Sequence, residues 1–328
     1  MIISKTPYRI SFFGGGTDMP TWYLKNTGQV LSTTIDKYSY ITFKTLPKIF
    51  GENIRLVYSK TELVDNVKQI KHPSIREVLK FTKLYKDINI HYNGDLPAFS
   101  GLGSSSAFTV GLLNALYNFK GISKTQFQLG LDSINIEQNK IKENVGSQDQ
   151  MAVAVGGLNH IKFNKNNKIL IKKIKIKKNI LKRLEENLLL FYTGMKRNSN
   201  DIQNNYLKNI HYKNFELDQI SKSVDWALEF LKSGNLDDFG NLLNEMWKFK
   251  KKLNNKVSNN KLNEIYDIAM KNGALGGKLI GAGGGGFYLF YANKNNQNKI
   301  KQKLGRSNFI DFRFEDSGST IVYKKIKS

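Results

Sequence analysis

A glycine- and serine-rich turn at residues 96–107 (LPAFSGLGSSSA), the central segment, is the part of this sequence that most directly suggests chemistry. Phe108, Leu112 and Leu116 follow it at helical spacing, which predicts a helix that begins just after the turn. At such a junction free backbone N–H groups and the helix dipole point at one place, and glycine lets a phosphate approach closely. The segment lacks the Gly-Lys-Ser/Thr ending of a Walker loop, so on its own it could equally be a linker or an ordinary helix cap.

Two further glycine-rich segments stand nearer the ends of the chain. The C-terminal segment, residues 276–286 (GGKLIGAGGGG), ends in four consecutive glycines directly before an apolar strand pattern. Such a run costs backbone entropy, and because no polar spacer separates it from the neighbouring patterns, a close approach of the backbone is favoured over a flexible linker. The N-terminal segment, residues 6–18 (TPYRISFFGGGTD), carries Arg9 on a strand before three glycines and Asp18. An isolated arginine or aspartate is usually a surface residue.

Two carboxylates lie between the central and C-terminal segments. Glu137 borders the apolar stripe of a predicted helix, three residues after Ile134 and four before Ile141, where a solvated carboxylate is not expected. It is therefore a candidate metal ligand. Asp149 lies in a polar turn before an apolar run, where an Asx-turn or a helix cap is the commoner role for such a residue alone.

The surrounding elements alternate strand and helix patterns, which predicts a mixed α and β fold. Strand patterns occupy residues 10–13, 30–35 and 40–43 before the central segment. Ser123 with Gln126 forms a capping-box pattern that predicts the start of the helix carrying Glu137. A change of pattern near residue 185 divides the chain into two predicted domains, residues 1–185 and 186–328.

The formal net charge of +24 comes mostly from lysines scattered among asparagines and isoleucines, which indicates a solvated surface rather than a ligand class. Residues 169–178 alternate isoleucine with lysine; a basic ribbon for nucleic acid is one interpretation, but a strand with one wet face is favoured because no aromatics are interleaved. The chain has no cysteine, no apolar run near the roughly 18 residues of a membrane span, and no signal-peptide pattern at its N-terminus. We therefore expect a soluble cytoplasmic protein that binds neither nucleic acid nor membrane.

In their order along the chain and in their residues, the three glycine-rich segments resemble the signature motifs of the GHMP kinase superfamily. The superfamily is named for galactokinase, homoserine kinase, mevalonate kinase and phosphomevalonate kinase. The resemblance extends from Thr6 to the terminal strand patterns, and the Gly-Leu-Gly-Ser-Ser-Ser-Ala of the central segment is its most specific part. It implies an α+β fold of two domains. The N-terminal domain would contain a left-handed βαβ crossover, the C-terminal domain would be ferredoxin-like, and the active site would lie in the cleft between them.

The resemblance also implies two ligands, ATP and Mg²⁺, and a role for each candidate residue. Asp149 would be the catalytic base and Arg9 would stabilise the ionised acceptor and the transferred group. Ser105 and Glu137 would hold the magnesium ion. The residues that would cradle the ATP phosphates are Pro97, Ser100, Gly101, Leu102, Gly103, Ser104, Ser105 and Ser106. The residues that would bind the acceptor are Gly14, Gly15, Gly16, Asp18, Gly283, Gly284 and Arg197.

One departure within the family bears on the acceptor. Galactokinases carry Glu-His where this chain has Gly15-Gly16, which enlarges the acceptor side and makes galactose a poor expectation. Three features are similar to bacterial D-glycero-D-manno-heptose 7-phosphate kinases. They are the Gly-Gly-Gly-Thr-Asp sequence, the Gln148-Asp149-Gln150 turn, and Arg197 after Tyr192-Thr193-Gly194. That similarity implies phosphorylation of the anomeric hydroxyl to give the 1,7-bisphosphate, for nucleotide-activated heptose and surface polysaccharide, by a monomer or homodimer.

Three alternatives remain open at this point. The chain could be fucokinase-like or another GHMP small-molecule kinase, since fucokinase domains share part of the same wording. It could also be a non-catalytic sugar or ATP sensor, or a basic scaffold for nucleic acid. A sensor is expected to have lost Arg9, Glu137 or Asp149, and all three are present.

Overall fold

The computed structural model describes residues 1–98, 100–195 and 210–325, which form two β-sheets with helices packed against them. The first sheet has nine strands: β1 (Ile2–Phe13), β2 (Gly28–Thr45), β3 (Ile54–Val57), β4 (Thr61–Val64), β5 (Ile88–Gly94), β6 (Asn159–Phe163), β7 (Ile169–Lys173), β12 (Phe314–Glu315) and β13 (Thr320–Lys324). The second has four: β8 (Leu188–Tyr192), β9 (Ala274–Leu279), β10 (Phe287–Ala292) and β11 (Phe309–Ile310).

The helices of the described ranges fall into two groups, before and after β8. The first group is α1 (Pro20–Asn26), α2 (Pro73–Phe81), α3 (Ser104–Phe119), α4 (Gln126–Ile134), α5 (Gln148–Val155) and α6 (Lys178–Glu186). The second is α7 (Asn214–Ser233), α8 (Leu236–Leu253), α9 (Asn260–Lys271) and α10 (Lys294–Leu304). Short 3₁₀ turns lie at Lys48–Phe50, Val67–Gln69, Ile210–Tyr212, Asn255–Val257 and Arg306–Asn308. No helix in these ranges is both long enough and apolar enough to cross a lipid bilayer.

Strand β2 is the centre of the first sheet, because it pairs with β1, β5, β6 and β12. The sequence predicts two strands here, at residues 30–35 and 40–43, whereas the structure has one strand of 18 residues. The register with β1 shifts between Pro7 and Tyr8, so residues 36 and 37 bulge out of the ladder without ending the strand. The bulge explains why the hydrophobic alternation breaks there.

Helix α3 is the helix that carries the central segment into the core. Thirteen of its sixteen residues are buried, so it is hydrophobic on every side rather than amphipathic. Gly111 allows it to lie close to β1: a Cβ there would stand 2.9 Å from Thr6 Oγ1, and the Gly111 carbonyl accepts a hydrogen bond of 2.7 Å from Ser4 Oγ. The middle of α3 therefore lies close against the first sheet.

Helix α4 begins two residues later than the capping-box prediction. Thr125 and Gln128, not Ser123 and Gln126, form the reciprocal box. The same Ser/Thr-x-x-Gln pattern occurs twice in this stretch, and the register with Thr125 as cap is the one that buries Leu129. After Ile134 the chain continues in a π-helical turn, Asn135–Lys140.

The second sheet has the order β11-β8-β10-β9 with antiparallel neighbours, and its elements follow as strand, helices, strand, strand, helix, strand. This is the ferredoxin-like arrangement expected for the C-terminal domain. In the first sheet β3 and β5 are parallel and connected through α2; the left-handedness of this crossover stays a prediction. The division at residue 185 also stays a prediction, and β12 and β13, near the end of the chain, pair with the first sheet.

The two sheets are joined by a shared core. Phe12 and Phe13, at the end of β1, both pack edge-on against Phe239 of α8, with ring centroids 5.4 and 5.0 Å apart. Edge-to-face aromatic pairs contribute beyond the area that they bury. The core contact lies directly before the three glycines of the N-terminal segment, so it fixes that turn relative to the second sheet.

Candidate active site

A cavity of about 800 Å³ opens where the three glycine-rich segments meet, a volume within the range of small-molecule sites. The predicted site residues that line it are Arg9, Gly15, Gly16, Asp18, Gly101, Gly103, Ser104, Ser105, Ser106, Glu137 and Asp149. Residues separated by up to 140 positions thus share one cavity.

Arg9 and Asp149 form a bidentate ion pair at the floor of this cavity. Arg9 Nε donates to Asp149 Oδ1 at 2.8 Å and Nη2 donates to Oδ2 at 2.7 Å. The remaining guanidinium nitrogen, Nη1, donates to the carbonyl of Gly101 at 2.6 Å, and the backbone N–H of Arg9 donates to the carbonyl of Leu102. Arg9 is 2% exposed, whereas the Asp149 side chain is 28% exposed toward the cavity. The arginine therefore orients the carboxylate and ties it to the central segment.

The central segment presents the N-terminus of α3 to the cavity. Gly103 adopts a left-handed conformation with φ of 73°, and it provides no side-chain cap for the helix. The first-turn N–H groups of a helix have no intrahelical partner, and together with the helix dipole they favour an anion. A Cβ at Gly103 would stand 3.0 Å from Cγ of Arg9, so the glycine also makes room for the ion pair. This arrangement fits the phosphates of a nucleotide.

Glu137 is a buried carboxyl, 1% exposed, on the π-helical turn after α4. It accepts hydrogen bonds from Gln150 Nε2 at 2.6 Å and from Ser106 Oγ at 3.0 Å. Burial, and then the negative charge of Glu143, raise the pKa of Glu137 to about 8, against the hydrogen bonds that lower it. A buried carboxyl with neutral partners is suited to receive a cation. Few protein side chains could bind a metal here, because the described residues contain no cluster of three His, Asp or Glu side chains. A metal at Glu137 would therefore have few protein ligands.

The hydroxyls of Ser106 and Ser133 donate hydrogen bonds to Glu137, whereas the predicted metal ligand Ser105 has no such bond in the described residues. The Ser105 side chain is exposed and lines the cavity, one residue before Ser106 on α3. Ser105 as a ligand stays a prediction. The contact of Ser106 with Glu137 was not anticipated, since the helical start at Ser104 decides which hydroxyl faces inward.

Asp18, the last residue of the N-terminal segment, is buried. Its carboxylate accepts hydrogen bonds from the backbone N–H groups of Gly16, at 2.9 Å, and Gln148, at 3.2 Å. Burial, and then the negative charge of Asp149, raise the pKa of Asp18 above its usual range, although the two N–H groups oppose the shift. A side chain at Gly146 would collide with this carboxylate, at 1.8 Å from Oδ2. Asp18 thus connects the glycine turn to the start of α5.

Lys278 is a site residue that sequence reasoning missed. It lines the cavity from β9, and its Nζ donates to the carbonyls of Ser11 and Phe12 at 3.1 and 2.8 Å. Burial, and then the positive charge of Arg9, lower its pKa to about 7. It lies inside the C-terminal segment, but only its burial and its two hydrogen bonds in the folded chain show that its side chain faces inward.

Several predicted residues do not line the cavity. Gly14 packs on β2, where a Cβ would meet the Gln29 carbonyl at 1.9 Å, and Gly283 packs on Val257, so both glycines permit close backbone contact. The others outside the lining are Pro97, Ser100, Leu102 and Gly284. In their place the C-terminal segment contributes Gly281 and Ala282. Arg197 lies outside the described residues.

An aromatic group at one end of the cavity was also missed. His72 stacks on Phe108 with centroids 4.9 Å apart, and Tyr58 and Tyr92 stand edge-on to these rings. All four residues line the cavity, and Phe108 lies one turn after the start of α3. They come from four separate elements, so no local sequence pattern indicated them. Such a surface suits a flat heteroaromatic ring next to the glycine-rich turn before α3.

Comparisons with known proteins match the chain to two family models, "GHMP kinases N terminal domain" over residues 56–157 and "GHMP kinases C terminal" over residues 227–311. A D-glycero-alpha-D-manno-heptose 7-phosphate kinase from Campylobacter jejuni is 30% identical over 331 residues, with 97% of each chain covered. The crystal structure of a D-glycero-D-manno-heptose 1-phosphate kinase from Bacteroides thetaiotaomicron superposes with a TM-score of 0.80 at 26% identity, covering 100% of both chains. A bifunctional fucokinase/GDP-fucose pyrophosphorylase from Arabidopsis thaliana is 23% identical over 91% of this chain and 30% of its own length.

The chain therefore belongs to the GHMP kinase family. The predicted α+β fold of two domains is confirmed, and so is the predicted class of enzyme, a phosphotransferase with an alcohol group as acceptor. ATP is the phosphoryl donor of this family, and the cavity is lined by the glycine-rich turn at the N-terminus of α3, which fits a phosphate group.

The contact between the C-terminal and central segments yields a test with a matched control. Gly286 has φ of 90°, and a Cβ there would stand 2.3 Å from the carbonyl oxygen of Ser100. Gly194 has φ of 71°, but apart from its own chain neighbours no atom of the described residues lies within 4 Å of its Cβ position. Gly194→Ala should cost about 1 kcal/mol for the left-handed backbone alone. Gly286→Ala should cost about 3 kcal/mol in unfolding free energy, because the central segment must also move.

Urea denaturation and the KM for ATP are the measurements. We expect Gly286→Ala to raise the KM for ATP by about tenfold or more, since displacement of the loop by 1 Å is costly to positioning. Gly194→Ala should leave it near the wild-type value. Equal losses in the two variants would show that the contact with Ser100 does not position the loop.

Proposed function

We propose that the protein is an ATP-dependent sugar kinase that phosphorylates the anomeric hydroxyl of D-glycero-D-manno-heptose 7-phosphate and releases the 1,7-bisphosphate. The observation that carries the proposal is the Asp149 carboxylate, held by Arg9 in a cavity between a phosphate-binding turn and an open glycine turn. We further propose that it acts in the cytoplasm, as a monomer or homodimer, in the synthesis of nucleotide-activated heptose for surface polysaccharide.

The nucleotide would occupy the side of the cavity that is lined by the start of α3. Its base would lie at the aromatic end near His72 and Phe108, and its phosphates at the N-terminus of α3, where Gly103, Ser104 and Ser105 line the cavity. Glu137 and Ser105 would hold a magnesium ion, with Ser106 orienting the Glu137 carboxylate through its hydrogen bond. When bound, the ion would neutralise charge on the phosphate oxygens.

Phosphoryl transfer requires mainly positioning and charge stabilisation from the protein. Asp149 would accept the proton of the acceptor hydroxyl while the oxygen forms a bond to the γ-phosphorus, and the bond from that phosphorus to the bridging oxygen breaks to release ADP. Both oxygens of Asp149 are bonded to Arg9, but each carboxylate oxygen keeps a second lone pair for the substrate. Arg9 is placed to stabilise negative charge that develops on the acceptor and the transferred group.

The heptose assignment is supported by the shape of the acceptor side and by the relatives. Gly15 and Gly16 line the cavity and offer no side chain that would restrict a seven-carbon sugar. The Campylobacter jejuni relative is named for a heptose 7-phosphate and the Bacteroides thetaiotaomicron structure for a heptose 1-phosphate, so the two names agree on the sugar and differ on the phosphate. Arg197 is retained as the proposed partner of the distal phosphate, because arginine can bind phosphate in a bidentate way.

The other functions are less well supported. A fucokinase activity has the similarity to the Arabidopsis thaliana relative in its favour, at lower identity. A non-catalytic sensor or a nucleic-acid scaffold has no specific observation behind it, since Arg9, Glu137 and Asp149 all face one cavity.

The acceptor is tested by comparing kcat/KM for D-glycero-D-manno-heptose 7-phosphate, the corresponding 1-phosphate, the free heptose, L-fucose, galactose and mannose. We expect the 7-phosphate to exceed every unphosphorylated sugar by about 100-fold or more, since charge-assisted hydrogen bonds to a phosphate are strong. A better rate with L-fucose or galactose would remove the heptose assignment and leave the kinase. Failure of every sugar to stimulate ADP release would contradict the kinase itself.

The metal site is tested through the pH dependence of magnesium activation. Because the pKa of Glu137 is raised to about 8, a metal must displace its proton at neutral pH, so the magnesium concentration for half-maximal turnover should fall as pH rises from 6.5 to about 8 and then level off. Glu137→Gln keeps the shape without the charge, and should need more magnesium at every pH with little pH dependence. Magnesium binding to the wild type is measured independently by isothermal titration calorimetry in the presence of ADP. An identical pH profile in the variant would make Glu137 a structural residue.

A further inference from the structure

Two polar side chains next to the Arg9–Asp149 pair have no assigned role. Ser11 lies two residues after Arg9 on β1, so the two side chains are on the same face of the strand. Gln148 directly precedes Asp149 in the first turn of α5. Both residues line the cavity. They therefore flank the reactive pair on the side of the acceptor.

Both side chains contain a buried polar atom that no other group satisfies. Ser11 is 4% exposed, and its Oγ has no hydrogen-bond partner among the described residues; the same is true of Oε1 of Gln148. The backbone carbonyl of Ser11 is already bonded to Lys278, so the hydroxyl is the group left over. Buried polar atoms without a partner are rare and costly, and in a cavity they indicate a ligand that completes them.

The two groups face the same point, above Gly15. The position of a Cβ at Gly15 lies 3.5 Å from Gln148 Nε2 and 3.6 Å from Ser11 Oγ. Either end of the Gln148 amide can face this point, because the amide can turn over. A ligand atom cannot occupy that position itself, which is one bond length from the Gly15 Cα, but without a side chain there the cavity extends to both polar groups. The missing side chain of Gly15 thus leaves the part of the cavity next to Ser11 and Gln148, called the space below, open to an acceptor.

The chemistry of the space selects a neutral hydroxyl. A hydroxyl can donate one hydrogen bond and accept two, so it can satisfy a serine and an amide together. An anionic oxygen is disfavoured, because two carboxylates are close to Gln148: Asp149 follows it in α5, and Asp18 accepts a hydrogen bond from its backbone N–H.

We propose that Ser11 and Gln148 bind the hydroxyl on the carbon next to the phosphorylated position and distinguish its configuration. This inference rests on the proposed function, under which the hydroxyl is the one on C2, axial in the manno configuration. Because the space adjoins the catalytic pair, this contact also fixes the anomeric hydroxyl against Asp149.

The test combines enzyme variants with altered acceptors. The acceptors are D-glycero-D-manno-heptose 7-phosphate, its 2-deoxy analogue and its C2 epimer. Wild-type kcat/KM should fall by about 10- to 100-fold on removal of the hydroxyl, because two buried groups are then left unpaired. In Ser11→Ala and Gln148→Met the preference for the hydroxylated sugar should shrink to about threefold or less. The reason is that kcat/KM should fall for the natural acceptor and change little for the 2-deoxy analogue. Turnover of the 2-deoxy analogue also shows that each variant is folded.

Ser32→Ala is the matched control. Ser32 is the cross-strand partner of Ser11, is equally buried, and its hydroxyl also has no partner among the described residues, but it does not line the cavity. It should keep the full wild-type preference. A full preference in Ser11→Ala and Gln148→Met, or no preference in the wild type, would overturn the inference.

The outcome is separable from that of the proposed function. If the heptose phosphate is not accepted but L-fucose, galactose or mannose is, the heptose assignment fails and the same comparison is made with that sugar and its 2-deoxy form. A preference that collapses only in the two cavity variants then still supports the role of Ser11 and Gln148. If no sugar is phosphorylated, both the function and this inference are wrong.

Discussion

The forked contact between Arg9 and Asp149 is the interaction on which the rest of the site depends. It joins β1 to α5, and the third guanidinium nitrogen joins both to the Gly101 carbonyl of the central segment. A buried arginine that loses its partner leaves an uncompensated charge, so the pair is expected to be far more stable as a unit than either half alone. One side chain thereby sets the distance between the proposed base and the proposed phosphate-binding turn.

Around this pair the site is built largely from backbone, and glycine makes that possible. The missing side chain of Gly103 leaves room for Arg9. In the same way Gly146 leaves room for the carboxylate of Asp18, and Gly286 for the carbonyl of Ser100. In each place a side chain would meet a neighbouring atom at 3.0 Å or less. Glycine-rich segments that look flexible in the sequence are therefore tightly packed, and Gly15 is different: it borders open space that an acceptor can fill.

The sequence predicted the parts of the site that have local signals. Three parts could be located: the turn before α3, the strand bearing Arg9 and the carboxylate at Asp149. Their signals are the glycines, the helical spacing of apolar residues and the resemblance to the family motifs. The burial of Lys278, the ring cluster around His72 and the π-helical turn under Glu137 could not, since each depends on packing between elements distant in sequence. The late start of α4 has a related cause: two capping patterns overlap, and only tertiary burial of Leu129 chooses between them.

A double-mutant cycle on the ion pair tests the central claim most directly. Turnover is measured for Arg9→Lys, Asp149→Asn and the double variant, with ATP affinity measured separately. If the pair acts as one unit, each single variant loses about 100-fold or more, because lysine cannot reproduce the fork and asparagine cannot accept the proton. The double variant should then lose little more than the worse single one. Losses that multiply in the double variant would show that Arg9 and Asp149 act independently, and would contradict the account.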